Sequence, residues 1–145
     1  MNDIRLYVTL GSTPQAAQAA LLRLDQAVAR WNWGSAGSRA DARLVIEELI
    51  GNAIDQALAH TGFAPDISLE LTRSGHRLRI AVTDSSPGRP NPRPVDEHGL
   101  HVVASIAAQW GTAPHPHGGT TVWCELINIP EPRQPAPSET FGIAA

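Results

Sequence analysis

Apolar and polar positions alternate along this chain with two different periods, and the switches between them predict its elements. Arg5 to Leu10 alternates weakly and is bounded by Gly11-Ser12, which predicts a short first strand. Thr13-Pro14 supplies an N-cap and a proline for the first helical position, and Ala16 to Trp31 carries apolar residues at helical spacing. Gly34, Ser35, Gly37 and Ser38 break that helix, with Trp31 and Trp33 flanking the break as packing residues. Asp41 opens a second helix expected to run to about His60, ended by Thr61-Gly62.

Past this helix the period falls to two. Ile67, Leu69 and Leu71 alternate with Ser68, Glu70 and Thr72, and after Arg73-Ser74-Gly75-His76 the pattern resumes as Leu78, Ile80 and Val82 against Arg77, Arg79 and Thr83. That is an antiparallel hairpin with one apolar face, to be covered by the two preceding helices. Asp84 ends the hairpin, and the four prolines between Ser85 and Pro94 forbid regular structure. His101 to Gln109 reads as a third helix stopped by Trp110-Gly111. Pro114, Pro116 and Gly118-Gly119 make a turn before a last strand, Thr120 to Ile129, with Val122, Cys124 and Leu126 inward. The fold class is α+β, a two-layer sandwich of a mostly antiparallel sheet with helices on one face. Residues 1–129 form one domain, and the proline-rich residues 130–145 read as a poorly ordered tail.

Composition narrows the chemistry. The 145 residues, 42% apolar with a net charge of −3, have no field to attract nucleic acid or an anionic membrane, and no apolar run long enough to cross a bilayer. Residues 1–12 lack a secretory signal pattern, so a cytoplasmic location is expected. The single Cys124 excludes an intramolecular disulfide and reads as a buried, inert thiol. All eleven basic residues are arginine, which removes the P-loop lysine, Schiff-base chemistry and the conventional protein-kinase lysine. His98, His101, His115 and His117 lack the spacing of a zinc site and read as exposed loop histidines.

The second helix is where polar chemistry enters an apolar pattern. In Glu48-Leu-Ile-Gly-Asn-Ala-Ile-Asp55, Glu48, Asn52 and Asp55 lie within about 60° on a helical wheel, with Ile46, Leu49, Ile50, Ala53 and Ala57 turned to the other side and Val45 at the boundary. Asn52 offers a carbonyl oxygen suited to Mg²⁺, and Glu48, one turn earlier, can accept a proton from an attacking hydroxyl or water. Glu47 points about 140° away from Asn52 and is read as a solvated charge.

Motif order adds a family resemblance from Asp41 to Leu126. Glu48-Leu-Ile-Gly-Asn52-Ala resembles the N box of the GHKL (Bergerat-fold) ATPases, Asp84-Ser-Ser-Pro their first glycine-box aspartate, and Gly99-Leu100 their second glycine box. Gly118-Gly-Thr-Thr-Val-Trp resembles the strand start that closes their site. Within that superfamily the chain is most similar to the anti-sigma-factor serine/threonine kinases and the stand-alone ATP-binding regulators of actinobacteria.

The resemblance implies ATP and Mg²⁺ as cofactors, Glu48 as catalytic base, Asn52 as metal ligand and Asp84 as acceptor of the adenine amine. Gly99 and Leu100 would bring backbone to the phosphates, Thr120 or Thr121 would add a hydroxyl, and Arg89 or Arg93 would neutralise the γ-phosphate in place of lysine. It also implies a small antagonist (anti-anti-sigma-like) protein as substrate, a sigma factor as a second partner, and a homodimer. Ser86 and Glu97 depart from the glycine boxes, and the segment from Ser85 to His98 is short for an ATP lid. These departures carry the alternative, a catalytically degenerate interaction module with weak or no nucleotide binding.

Overall fold

The computed structural model describes residues 3–61, 66–84, 100–114 and 119–129. Its elements run β1 (Ile4–Leu10), α1 (Ala16–Arg30), α2 (Ala36–Thr61), β2 (Ile67–Ser74), β3 (Arg77–Asp84), α3 (His101–Ile106), β4 (Gln109–Pro114) and β5 (Thr120–Ile127). The described strands form one five-stranded sheet of order β1-β2-β3-β5-β4, antiparallel at every pairing. This is the α+β sandwich that the alternating pattern predicts. The tail, residues 130–145, lies outside the described residues.

Register explains the two-layer architecture. Leu6, Leu71, Ile80, Cys124 and Trp110 form one row across the sheet, and Val8, Leu69, Val82, Val122 and Thr112 form the next. Because side chains alternate between faces, these rows make one apolar surface, on which α1 and α2 lie. Leu69, Leu71, Ile80 and Cys124 have no exposed surface, and each aliphatic side chain so buried contributes about 1.5–3 kcal/mol. The opposite face is polar: Glu70 lies 3.7 Å from Arg5 and 3.8 Å from Arg79, and Arg77 lies 3.6 Å from Glu125. Arg79 also sits 5.2 Å above the Trp123 ring. Such half-exposed pairs keep this face in water more than they stabilise it.

Helix boundaries differ from expectation where local hydrogen bonds override composition. Asp41 does not open α2; Ser35 does, accepting from the Ser38 amide on its Oγ at 3.1 Å and from the Arg39 amide on its carbonyl at 2.9 Å. Asn128 accepts the Ser35 amide at 2.9 Å, and Arg39 Nε donates to the Trp33 carbonyl at 2.8 Å. Gly34, at φ +91°, is therefore the turn, while Gly37 and Ser38 are already helical. Trp31 and Trp33 are buried, and the Trp33 indole donates to the His76 carbonyl at 2.9 Å. Thr13 does not cap α1 with its side chain; its carbonyl accepts the Ala16 amide at 2.9 Å.

The third helix is also shorter than its composition suggests. It ends at Ile106, Ala107 turns extended at φ −74° and ψ 142°, and Gln109–Pro114 pairs with β5 as an edge strand. Trp110-Gly111 thus lies inside a strand rather than stopping a helix. Gly111 faces Trp123, whose Cζ2 would lie 3.1 Å from any added Cβ.

Candidate functional site

The rotation of α2 separates packing from chemistry. Val45, Ile46, Leu49, Ile50 and Ala53 are buried, Glu47 and Asp55 are exposed, and Glu48 and Asn52 are half-buried between them. Glu48 Oε1 is excluded from solvent and has no hydrogen-bond partner among the described residues. Leaving a buried acceptor unpaired costs about 1–3 kcal/mol, a cost that folding alone gives no reason to bear. The Ala57 side chain lies outside the described residues.

A second polar group forms where β3 and β5 meet. Asp84, at the end of β3, follows Leu78, Ile80 and Val82 on the helix-covered face and is only 3% exposed. Gly119 crosses directly over it. A Cβ at position 119 would lie 2.0 Å from the Asp84 carbonyl oxygen and 3.0 Å from its Oδ1, and the Gly119 φ of +87° favours glycine independently. Thr120 follows on the same face, 5% exposed. Thr121 alternates to the other face, where its hydroxyl is 2.7 Å from that of its cross-strand partner Thr83. The pair of threonines thus divides: Thr120 joins Asp84, and Thr121 ties the two strands together behind it.

α2 packs across β3 and β5 and against α3. Leu100, 1% exposed, anchors the start of α3 against the core rather than presenting a side chain to a ligand. The Glu48–Asn52 edge of α2 and the Asp84–Gly119–Thr120 cluster belong to these mutually packed elements. Arg89, Arg93, Gly99, Glu97 and His98 lie outside the described residues, as do His115 and His117. Among the described residues there is no group of three or more His, Cys, Asp or Glu side chains able to hold a metal. The side-chain carbonyl of Asn52 is nevertheless a hard oxygen donor, the kind that Mg²⁺ accepts alongside phosphate and water oxygens. The thiol of Cys124 is pushed up to about 12, first by burial, and is no nucleophile.

Sequence reasoning placed Gly119 in a turn and in the closing motif but gave it no role of its own. Its signal was the glycine pair before Thr120; the close approach to Asp84 shows why position 119 admits no side chain.

Comparison with known proteins bears on the fold and the family. Residues 37–131 match the family described as histidine kinase-, DNA gyrase B-, and HSP90-like ATPase. Among solved structures, the crystal structure of the RsbU and RsbW domains of Rv1364c from Mycobacterium tuberculosis is similar, with a TM-score of 0.66 at 22% identity. The match covers 86% of this chain and 32% of that one, so this chain spans about a third of that protein's length. At this identity the likeness is one of fold. No curated protein sequence matches the chain. Among the described residues, no helix is long and apolar enough to cross a membrane.

Proposed function

The chain belongs to the histidine kinase-, DNA gyrase B-, and HSP90-like ATPase family, and from that premise we propose that it is a Mg·ATP-binding regulatory protein. Its reaction is transfer of the γ-phosphoryl group to a serine or threonine of a small antagonist protein, as in the anti-sigma-factor kinases it resembles. The observation that carries this reading is the solvent-excluded, unpartnered Oε1 of Glu48 one helical turn from Asn52. A buried acceptor without a donor is what a general base needs before its substrate arrives.

Each residue then has a task. Asp84 accepts the exocyclic amine of adenine, with Gly119 leaving room over its carbonyl and Thr120 adding a hydroxyl beside it. Asn52 holds Mg²⁺, which when bound supplies charge neutralisation at the phosphates. Glu48 takes the proton of the attacking hydroxyl as the new O–P bond forms and ADP leaves. Arg89 or Arg93, with the backbone at Gly99 and Leu100, receives the phosphates. Thr121 is assigned to strand pairing instead of ligand contact. A sigma factor as a second partner, and a homodimer, follow from the same resemblance.

Calorimetry tests this directly. Wild type binds ADP or ATP, Asn52→Ala loses the Mg²⁺-dependent part, and Glu48→Gln binds normally while transfer to the antagonist falls about a hundredfold or more. No nucleotide binding at millimolar ligand refutes the reading. It would then favour the degenerate interaction module, for which the carboxylate of Glu97 in the second glycine box is the specific sequence observation. Normal transfer by Glu48→Gln removes that residue as base.

A further inference from the structure

At the end of β1 remote from Asp84, the chain carries a groove that the nucleotide site does not use. Among the described strands β1 lies at the edge of the sheet; its end near Ile4 pairs with Arg73, whereas Leu10 pairs with Ile67, the partner of Asp84. Between residues 4–6 of β1 and the last turns of α1 lies a cavity of about 210 Å³. Ile4, Leu6, Ala27 and Trp31 contribute its apolar lining, and Arg23, Gln26 and Arg30 its polar lining, with Arg5, paired to Glu70 at 3.7 Å, at its margin. No residue of β2 or β3 lines it, so α1 overhangs the sheet margin and the groove opens where a next strand would lie.

The charges are as one-sided as the geometry. Arg23 and Arg30 are exposed and have no carboxylate partner among the described residues, and no acidic side chain lines the groove. This cluster of arginines stands on a chain of net charge −3. Ile4, which lines the groove, is 40% exposed, and no described strand pairs with the outer edge of β1. An unpaired edge with free backbone groups is a template for strand addition.

We propose that this groove binds an extended acidic segment of a partner protein, which adds to β1 as a further strand. One of its inward residues is apolar and rests on Leu6, Ala27 and Trp31. The inward residues two positions to either side are acidic and meet Arg23 and Arg30, because alternate residues of an added strand face the same way. A second copy of this chain fits less well, since the strand it would add, Ile4–Leu10, carries no carboxylate to meet Arg23 and Arg30.

The test uses the full chain and two blocked heptapeptides, Thr-Glu-Thr-Val-Thr-Glu-Thr and its counterpart with lysine in place of glutamate, followed by amide NMR. The glutamate peptide is expected to shift the amides of β1, and its affinity to fall about tenfold in Arg23→Glu/Arg30→Glu and again at high salt. Unchanged β3 and β5 amides show that the variant is folded. Equal binding of both peptides, no binding at millimolar peptide, or indifference to the double substitution overturns the proposal. A gain in peptide affinity in full-length Glu131→Lys/Glu139→Lys would give the groove to the chain's own C-terminal residues, and sedimentation showing a dimer that the peptide disperses would give it to a second copy. Either result overturns the assignment to a partner.

Discussion

Replacing Gly119 by alanine is the sharpest perturbation of the site, because one methyl group meets two separate obstacles. The first is conformational: φ of +87° lies where an L side chain costs about 1–2 kcal/mol relative to glycine. The second is steric. The new Cβ would lie 2.0 Å from the Asp84 carbonyl oxygen and 2.8 Å from its carbonyl carbon, and both are backbone, so no rotamer can relieve the overlap. The β3 end and the start of β5 must separate, and the total cost is about 3 kcal/mol. For a domain of this size that lowers the melting temperature by roughly 9–12 °C, at about 3–4 °C per kcal/mol. Because Asp84 is the group displaced, nucleotide affinity falls by at least tenfold as well. The control is Gly51→Ala: Gly51 is inside α2 with nothing within 4 Å of its added Cβ, so that variant gains about 0.5–1 kcal/mol. Urea unfolding and nucleotide calorimetry on the two variants measure both effects. A Gly119→Ala protein as stable as Gly51→Ala and binding nucleotide like wild type would refute the reasoning.

Three further outcomes can be checked with the same methods. Thr121→Val breaks the 2.7 Å hydroxyl pair with Thr83 and should cost about 1 kcal/mol in urea unfolding while leaving nucleotide affinity unchanged; a loss of affinity would return Thr121 to the ligand side. Ser35→Ala removes the cap on α2 and should destabilise by about 1 kcal/mol, whereas Asp41→Ala should have little effect, because position 41 is already inside the helix. Burial pushes the Cys124 thiol up to about 12 from 9.0, so the native thiol should resist alkylation that the urea-unfolded chain undergoes. Its folded-state pKa is the higher one, so its contribution is complete below about pH 9 and is lost as pH rises towards 12. The slope is about 1.4 kcal/mol per pH unit, measurable as a fall in urea midpoint that is absent in Cys124→Ala.

The sequence by itself determined what periodicity can encode. Leu69, Leu71, Leu78, Ile80, Val82, Cys124 and Leu126 announce one apolar sheet face through alternation alone, and the structure buries all of them. Helical spacing likewise separated the buried Leu49 and Ile50 from the half-buried Glu48 and Asn52, because 3.6 residues per turn sorts side chains before any neighbour is known. What only the tertiary structure decided depended on partners distant in sequence. β4 is a strand because β5 offers it a ladder, although Gln109 to Pro114 lacks alternating apolar residues. α2 begins at Ala36 because Ser35 is held by Asn128, some ninety residues away. The division between Thr120 and Thr121, and the demand for glycine at 119, arise where two strands come within contact of each other. Local preference sets which side chains can pack or react; long-range pairing sets the ångström distances on which strand registration and a ligand site depend.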